Sequence, residues 1–367
     1  MRYPTLARIE PGDIVFTKGG AIDRVGIVTQ CAAVSRDLIF LKTSTLGDEW
    51  SRFLFAYFSS SFFRRALLRS SSQTAQPHLT ITLVRELPIL RSTPAFRSNV
   101  AHIIELALAA KAEVRKHLVK AEERLNLALG LADWAPPDPL AYVRPLSDVK
   151  NAGRWDSQFH LPKVDAYLER LSARMELCAI GSLGDVTNGE PVQYSDEGSV
   201  PIVRSGDLVD IDDDGRFLRA AQQESVFALQ KGDVLISSIG FGSIGKVQVF
   251  DKPGTYGTVS EVTVIRQQKL DPYFLAAFLR SKPGQVQIDR WITGATGQLH
   301  LYPRDVKRIM VPVGDTGIEQ SMRRAAEDAR RTRRKAGELL EAAKRAVEIA
   351  IKEDEPAALR FLGQAGG

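Results

Sequence analysis

One order of landmarks occurs twice in this chain, and that repetition limits the possible folds more than composition does. Lys231-Gly232-Asp233-Val234-Leu235-Ile236 reads as a strand and is answered by Pro11-Gly12-Asp13-Ile14-Val15-Phe16. The aromatic helix signal Phe274-Leu275-Ala276-Ala277-Phe278-Leu279 is answered by Phe53-Leu54-Phe55-Ala56-Tyr57-Phe58, and Gln298-Leu299-His300-Leu301 by Gln76-Pro77-His78-Leu79. Gly232 follows Gly12 by 220 positions, Phe274 follows Phe53 by 221, and His300 follows His78 by 222. Landmarks kept in one order at a nearly constant offset imply a duplicated unit of domain plus helix, with a period too long for a solenoid.

Each copy runs into a long helix. Over 95–131, Val100, Ile104, Ala107, Lys111, Val114, Leu118, Ala121, Leu125 and Ala128 step by four and three, a heptad seam with a polar break at Lys111. Over 317–351, Ile318, Met322, Ala325, Ala329, Thr332, Ala336, Leu339, Ala343, Ala346 and Ala350 do the same on a small-sided seam that lets another helix approach closely. A helix of about 33 residues spans roughly 50 Å at 1.5 Å per residue, a length suited to an internal ruler. The cationic run from Arg330 to Lys335, Arg334 included, sits mid-helix as a solvated face or a contact for an acidic partner.

Between these landmarks the chain alternates short strands and helices. Residues 14–16, 25–28 and 38–41 are β-branched or aromatic runs, and 50–68 reads as one aromatic helix stopped by a serine-rich loop. Ala135-Pro136-Pro137-Asp138-Pro139 marks a rigid boundary. Beyond it come a helix over 164–171, a loop over 181–186, strands near Ile202, 234–236, 247–250 and 262–265, and an acidic turn over 210–215. Asp212-Asp213-Asp214 lacks calcium-loop spacing and reads as a solvated turn. The expected class is mixed α/β.

Of the 367 residues 44% are hydrophobic, enough for real cores in two domains. Forty-nine Lys and Arg against 44 Asp and Glu give +5, which permits a polyanionic partner without requiring one. Cys31 and Cys178 are far apart and show neither metal nor redox spacing, so buried thiols in a reducing compartment are expected. No apolar run approaches the roughly 20 residues of a membrane span, and Met1-Arg2-Tyr3-Pro4 begins no signal-peptide core, so a cytoplasmic protein is expected.

Gly240-Phe241-Gly242-Ser243-Ile244-Gly245-Lys246-Val247 satisfies G-x-G-x-x-G and falls one residue short of a P-loop. Val247 has no hydroxyl for Mg²⁺, and both phosphate motifs need a following helix N-terminus, whereas residues 246–250 read as a strand. As a turn between strands, this stretch can offer backbone N–H groups, Ser243 and Lys246 to a DNA phosphate. The polar loop containing Thr293, Thr296, Gln298 and His300, with Arg290 just before it, supplies candidate readers of base edges. His300 and His78 occupy matching places without a matching nucleophile or carboxylate, which favours structural roles. No Asn/Asp-Pro-Pro-aromatic tetrad of an amino-methyltransferase, nuclease carboxylate cluster or cofactor loop is evident, and the chain reads as a binder, not a catalyst.

Taken together, these motifs resemble the specificity subunit of type I restriction-modification systems. The resemblance covers nearly the whole chain and rests on Arg154-Trp155-Asp156-Ser157-Gln158-Phe159-His160, Leu183-Gly184-Asp185-Val186, the Lys231 to Ile236 strand, the Thr293 to Leu301 loop, and Val311-Pro312-Val313 followed by Ile318-Glu319-Gln320. It implies two target-recognition domains, each reading half of a bipartite DNA target, alternating with two long helices paired as an antiparallel coiled coil. It also implies partner N6-adenine methyltransferase subunits that carry S-adenosylmethionine, docked on the helices near Leu118, Leu125, Met322, Arg330, Arg334 and Leu339. A restriction or translocase subunit, or a second copy of the chain, is a further partner of this kind, in an anti-phage role.

On this reading residues 1–92 form a partial recognition domain, 93–133 the first helix, 134–153 a linker, 154–314 the complete domain, 315–352 the second helix and 353–367 a flexible tail. The first copy departs from the pattern: the second has some 75 residues between Arg154 and Lys231, the first only ten before Pro11, and Pro94-Ala95-Phe96-Arg97 replaces the Glu-Gln at Glu319-Gln320. Ile14, Phe16 and Ile39 are therefore expected near an open sheet edge that a partner chain, a methyltransferase subunit or a second copy, covers. Two rival readings are a coiled-coil scaffold of an anti-phage complex that has lost sequence specificity, and a nucleotide-binding enzyme using residues 240–246.

Overall fold

The structure, a computed structural model, describes residues 7–18, 24–70, 79–209, 211, 217–221, 226–240, 242–294 and 299–365. It divides into two compact units, residues 1–116 with 328–367, and residues 117–327.

The first unit begins with β1 (Arg8–Ile9), β2 (Ile14–Thr17), β3 (Val25–Ile27), β4 (Ala32–Ala33) and β5 (Leu38–Leu41). β2 is the centre of an antiparallel sheet ordered β3-β2-β5, and β1 pairs with β4. The aromatic stretch forms two helices rather than one, α1 (Asp48–Phe58) and α2 (Ser61–Ser70). The break lies at Ser60, whose hydroxyl donates to the Tyr57 carbonyl at 2.7 Å and accepts from Phe63 N–H at 3.4 Å, so the side chain caps the second helix. α3 (Ile81–Glu86) and α4 (Pro94–Ala128) follow. Whatever lies along the sheet edge, the side chains of Ile14, Phe16 and Ile39 are buried, packed with Phe53, Phe58, Phe63 and Leu67 of α1 and α2 in one core. Phe16 meets Phe58 edge-on at 5.3 Å between centroids. Each fully buried aromatic of this kind stabilises by about 1.5–3 kcal/mol.

The second unit contains α5 (Leu146–Ala152), α6 (Pro162–Ser172), β6 (Glu176–Ala179), α7 (Ile180–Leu183), β7 (Gly184–Asn188), β8 (Val200–Val203), β9 (Leu218–Ala220), β10 (Phe227–Ala228), β11 (Val234–Ser237), β12 (Val247–Val249), β13 (Gly257–Thr258), β14 (Val262–Gln267), α8 (Pro272–Arg280), α9 (Lys282–Trp291), α10 (Pro303–Val306) and β15 (Met310–Val313). The expected loop over 181–186 is thus a helical turn leading into β7, and the expected linker carries α5, which buries none of its side chains. One sheet is ordered β12-β11-β14-β7, a second β10-β13-β8-β9, and β15 pairs with β6. Val234 and Ile236 face a helical core, while Leu235 and Val264 face a second core containing Ile202, Val203 and Phe250. The acidic turn over 210–215 lies almost wholly outside the described residues.

The second long helix, α11 (Thr316–Lys352), is followed by α12 (Glu355–Ala365). The flexible tail is corrected to this helix, because Ala358 and Leu362 bury in the first unit's core. Of the α4 seam, Val100, Ile104, Ala107, Val114 and Leu125 are buried, but Leu118 is 43% exposed. Leu125 and Met322 belong to the second unit's core and Leu339 to the first unit's, so these three are spent inside the chain and offer nothing to a partner. Leu118 and Arg334 remain exposed, and Arg330 is half-buried. Cys31, expected to be buried, is exposed, while Cys178 is half-buried, and burial pushes its thiol pKa up.

Candidate nucleic-acid interface

The glycine-aspartate motif sets the ground on which the site stands. Gly12 and Gly232 have φ of 93° and 94°, the left-handed region that glycine enters most readily. Each makes a turn in which the following aspartate folds back: Asp13 Oδ2 accepts from Glu10 N–H at 2.9 Å, and Asp233 Oδ2 from Gln230 N–H at 2.8 Å. Both carboxylates are buried and each meets a cation from the end of the neighbouring strand, Lys42 at 3.2 Å from Asp13 and Arg266 in a two-pronged bond to Asp233 at 2.9 and 2.7 Å. The two cations escaped the sequence reading. The repeat offset of 220–222 carries Lys42 to 262–264, short of Arg266, and the match shows only in the strand register, where Leu41 pairs with Ile14 as Ile265 does with Val234.

From Asp233, β11 runs to the 240–246 turn and returns as β12, so the glycine-rich stretch is a hairpin connection with no helix N-terminus after it. Gly240, Gly242 and Gly245 all have positive φ, and Gly245 N–H donates to the Ser237 carbonyl at 2.8 Å. This geometry removes the nucleotide-binding reading, since no helix follows to receive a phosphate. Ser243 spends its hydroxyl on the Ile239 carbonyl at 3.0 Å and holds the turn. Lys246 is half-buried and forms no ion pair among the described residues.

The second loop lies against this turn. Thr293 and His300 exchange backbone hydrogen bonds of 2.9 and 2.8 Å, Gly240 N–H reaches the Leu299 carbonyl at 3.4 Å, and Leu301 N–H donates to the Ser238 carbonyl at 2.9 Å. His300 stacks on Tyr302 at 5.8 Å with rings 10° apart, and Arg304 lies over Tyr302 at 5.0 Å. Two of the stretches singled out in the sequence, 240–246 and 293–300, are thus neighbours joined by backbone hydrogen bonds. Thr296 and Gln298, like His78, lie outside the described residues.

Next to Leu299 opens a pocket of about 490 Å³ lined by Arg154, Asp156, Gln158, Asp289, Ile292, Thr293 and Gly294. The Arg154 to His160 motif builds one wall: Arg154 pairs with Asp156 at 2.7 Å and donates to the Ile292 carbonyl at 3.3 Å, while Asp156 caps Phe159 N–H at 3.0 Å. Its pairing with Arg154, reinforced by that cap against partial desolvation, holds the Asp156 carboxyl below its usual pKa.

Arg290 does not join the candidate surface. Its guanidinium packs over Phe159 at 4.6 Å and bonds Asp165 at 3.3 Å, Asp165 is shared with Arg144, and Arg290 Nε is buried without a partner. Burial pushes its pKa down despite Asp165, so Arg290 is a strut of the domain. Arg304 and Tyr302, which the sequence reading passed over, stand beside His300 instead. Their signal was adjacency alone. Among the described residues no group of three His, Cys, Asp or Glu is placed to hold a metal ion, and no helix is long and apolar enough to cross a membrane. What the cluster offers is donors and acceptors of several kinds on two adjoining loops: cations, backbone amides, an imidazole and hydroxyls.

No family model and no curated protein matches the chain. Solved structures do. One, described as the structural basis underlying complex assembly and conformational transition of the type I R-M system, is 18% identical with a TM-score of 0.32, covering 99% of this chain and 84% of that one. The type I restriction-modification system S subunit from M. genitalium is 14% identical with a TM-score of 0.38, over 98% of this chain and 84% of that one. The HsdS subunit from Thermoanaerobacter tengcongensis is 16% identical with a TM-score of 0.33, over 96% and 84%.

Proposed function

We propose that this chain is the DNA-specificity subunit of a type I restriction-modification assembly, which binds duplex DNA and directs a partner N6-adenine methyltransferase to its site. The observation that carries the reading is the hydrogen-bonded pairing of the 240–246 turn with the 293–300 loop, beside a polar pocket, in a unit whose scaffold is duplicated. The duplication reaches the same bond: Leu79 N–H donates to the Lys18 carbonyl at 2.9 Å, as Leu301 N–H does to that of Ser238. Lys246 and Arg304 serve as phosphate contacts that fix register, while His300 and Thr293 read base edges; Thr296 and Gln298, outside the described residues, are candidates for the same role. The long helices pair antiparallel and dock the methyltransferase through exposed groups such as Leu118 and Arg334. S-adenosylmethionine belongs to that partner, and this chain transfers no methyl group.

The test is duplex binding with methyltransferase present across several salt concentrations. Lys246→Ala should weaken binding to all sequences alike and reduce the salt slope by about 1, whereas His300→Ala should relax discrimination at one base pair by about 1–3 kcal/mol. Equal affinity for every duplex would end the proposal. A second reading is a scaffold without sequence specificity, and genome-wide mapping of methylated adenines separates the two, because a scaffold leaves no consensus.

A further inference from the structure

Every neighbouring pair in the sheet β12-β11-β14-β7 is antiparallel, so one end of that sheet collects where β11 leaves at Ser237, β12 enters at Val247, β14 enters at Val262 and β7 leaves at Asn188. The 240–246 turn springs from this end. Asn188, Thr263 and Ser238 each stand two residues from a member of the helical core, Val186, Ile265 and Ile236, and therefore share its face of the sheet. A short chain of hydrogen bonds joins them across three strands. Ser238 Oγ is bonded to Thr263 Oγ1, and Thr263 Oγ1 donates to Asn188 Oδ1 at 2.7 Å. Ser238 also holds both reading loops, since its N–H donates to the Glu261 carbonyl at 2.8 Å and its carbonyl accepts from Leu301 N–H at 2.9 Å. On the same side α10, which begins just after Tyr302, packs against β7.

The fold itself does not need these hydroxyls. Ile39 pairs with Phe16 as Thr263 pairs with Ile236, so the first unit makes the same strand contact with a buried apolar residue. Ser238 and Thr263 are buried as well, and a buried hydroxyl is costly unless bonded. What their bonds achieve is orientation. Half-buried Asn188 has its carbonyl oxygen turned inward on Thr263, which leaves the other end of the planar amide, Nδ2, without a hydrogen bond among the described residues. Two exposed carboxylates, Glu190 and Glu261, lie on the turns to either side.

We propose that Asn188 is a further base reader, whose Nδ2 donates to a keto base, guanine or thymine, while Thr263 and Ser238 are positioning residues that hold its amide in that orientation. The inference rests on the DNA-binding reading given above. A free asparagine pairs with adenine through both ends of its amide, accepting from N6 and donating to N7. Asn188 has given its accepting end to Thr263. It therefore meets the acceptors of guanine (O6, N7) or thymine (O4) and cannot answer the amino groups of adenine and cytosine. Glu190 and Glu261 repel phosphate, which makes a base edge and not the DNA backbone the partner of this amide.

Selection of binding sites from randomised duplexes, with the full chain and its methyltransferase present, tests the proposal. Asn188→Ala should lose about tenfold in discrimination at one keto position and leave the position governed by His300 unchanged. Asn188→Asp should turn that same position toward cytosine, because a carboxylate accepts from N4. Thr263→Val keeps the reader but frees its amide, so the position should shift toward adenine, an effect that a merely structural threonine does not produce. Should Thr263→Val fail to fold, Ser238→Ala loosens the same chain and should give the same shift in weaker form. An unchanged site in Asn188→Ala, with His300→Ala still relaxing its own position, overturns the proposal and leaves DNA reading intact. A uniform fall in affinity for all duplexes also overturns it, since Asn188 is then a backbone contact or a strut. A wild-type chain that selects no site at all ends both readings.

Discussion

The two units solve one local problem with the same backbone and different side chains. In both, a positive-φ glycine and a buried aspartate turn the chain into the central strand, and a serine hydroxyl, Ser60 or Ser281, closes on the carbonyl three residues back at 2.7 or 2.6 Å where one helix passes to the next. The strand-like segment before each long helix is also held in both, but by Tyr57 donating to the Pro88 carbonyl at 2.6 Å in one and by Gln287 donating to that of Met310 at 3.0 Å in the other. What differs is the second layer. The complete unit covers Leu235 and Val264 with a further sheet, while Val15 and Phe40 have only part of that cover. The face bearing the helices is buried in both units, and the units differ in how far the opposite face of the central sheet is covered.

The largest test of this comparison concerns that helical face. Leu339→Asp places a charge in the first unit's core and should cost 4 kcal/mol or more, on the order expected for an unpaired buried charge. Leu106→Asp, in the same unit but 41% exposed, should stay within about 0.5 kcal/mol. Trp50 is the first unit's only tryptophan, so a chain keeping only Trp50 would report that unit's denaturant unfolding. Equal costs would mean the two positions share one environment.

A smaller effect separates the two buried aspartates. Arg266 grips Asp233 with two nitrogens and is 33% exposed, whereas Lys42 meets Asp13 at one point and is 43% exposed. Arg266→Ala should therefore cost about 3 kcal/mol, since it strands a buried carboxylate, and Lys42→Ala under about 1 kcal/mol. Urea titration of the two variants ranks them, and a reversed order would break the analogy between the turns.

The smallest effect is in pH. Burial alone would raise the Asp13 pKa, but hydrogen bonds from Glu10 N–H and from Ser44 N–H and hydroxyl, with Lys42 nearby, hold it below the ordinary carboxylate value. A depressed folded-state pKa means the contribution is complete above the unfolded carboxylate's pKa and is lost as pH falls through the folded value. Asp13→Asn should flatten that part of the first unit's acid unfolding curve, measured through Trp50. An unchanged acid limb would show that other carboxylates govern it.

Short-range pattern was enough for much of this protein. The four-three spacing of Val100, Ile104 and Ala107 and the alternation of Val247, Gln248 and Val249 specified helix and strand, because side-chain periodicity follows from backbone geometry alone. The repeat offset placed both glycine-aspartate turns and both long helices, and the residues after Gly245 excluded a phosphate loop. What periodicity could not decide was which surfaces meet. Leu118 keeps the heptad yet stays exposed, because burial depends on what opposes a side chain. Arg290 looked free to reach DNA, but Asp165, 125 positions away, holds it inside the domain. Residues 355–365 gained a helix because the first unit's core had room for Ala358 and Leu362. Each of these outcomes turns on a contact between residues far apart in sequence. Such contacts form only where the folded chain removes both partners from water together, and only the tertiary structure fixes where that happens.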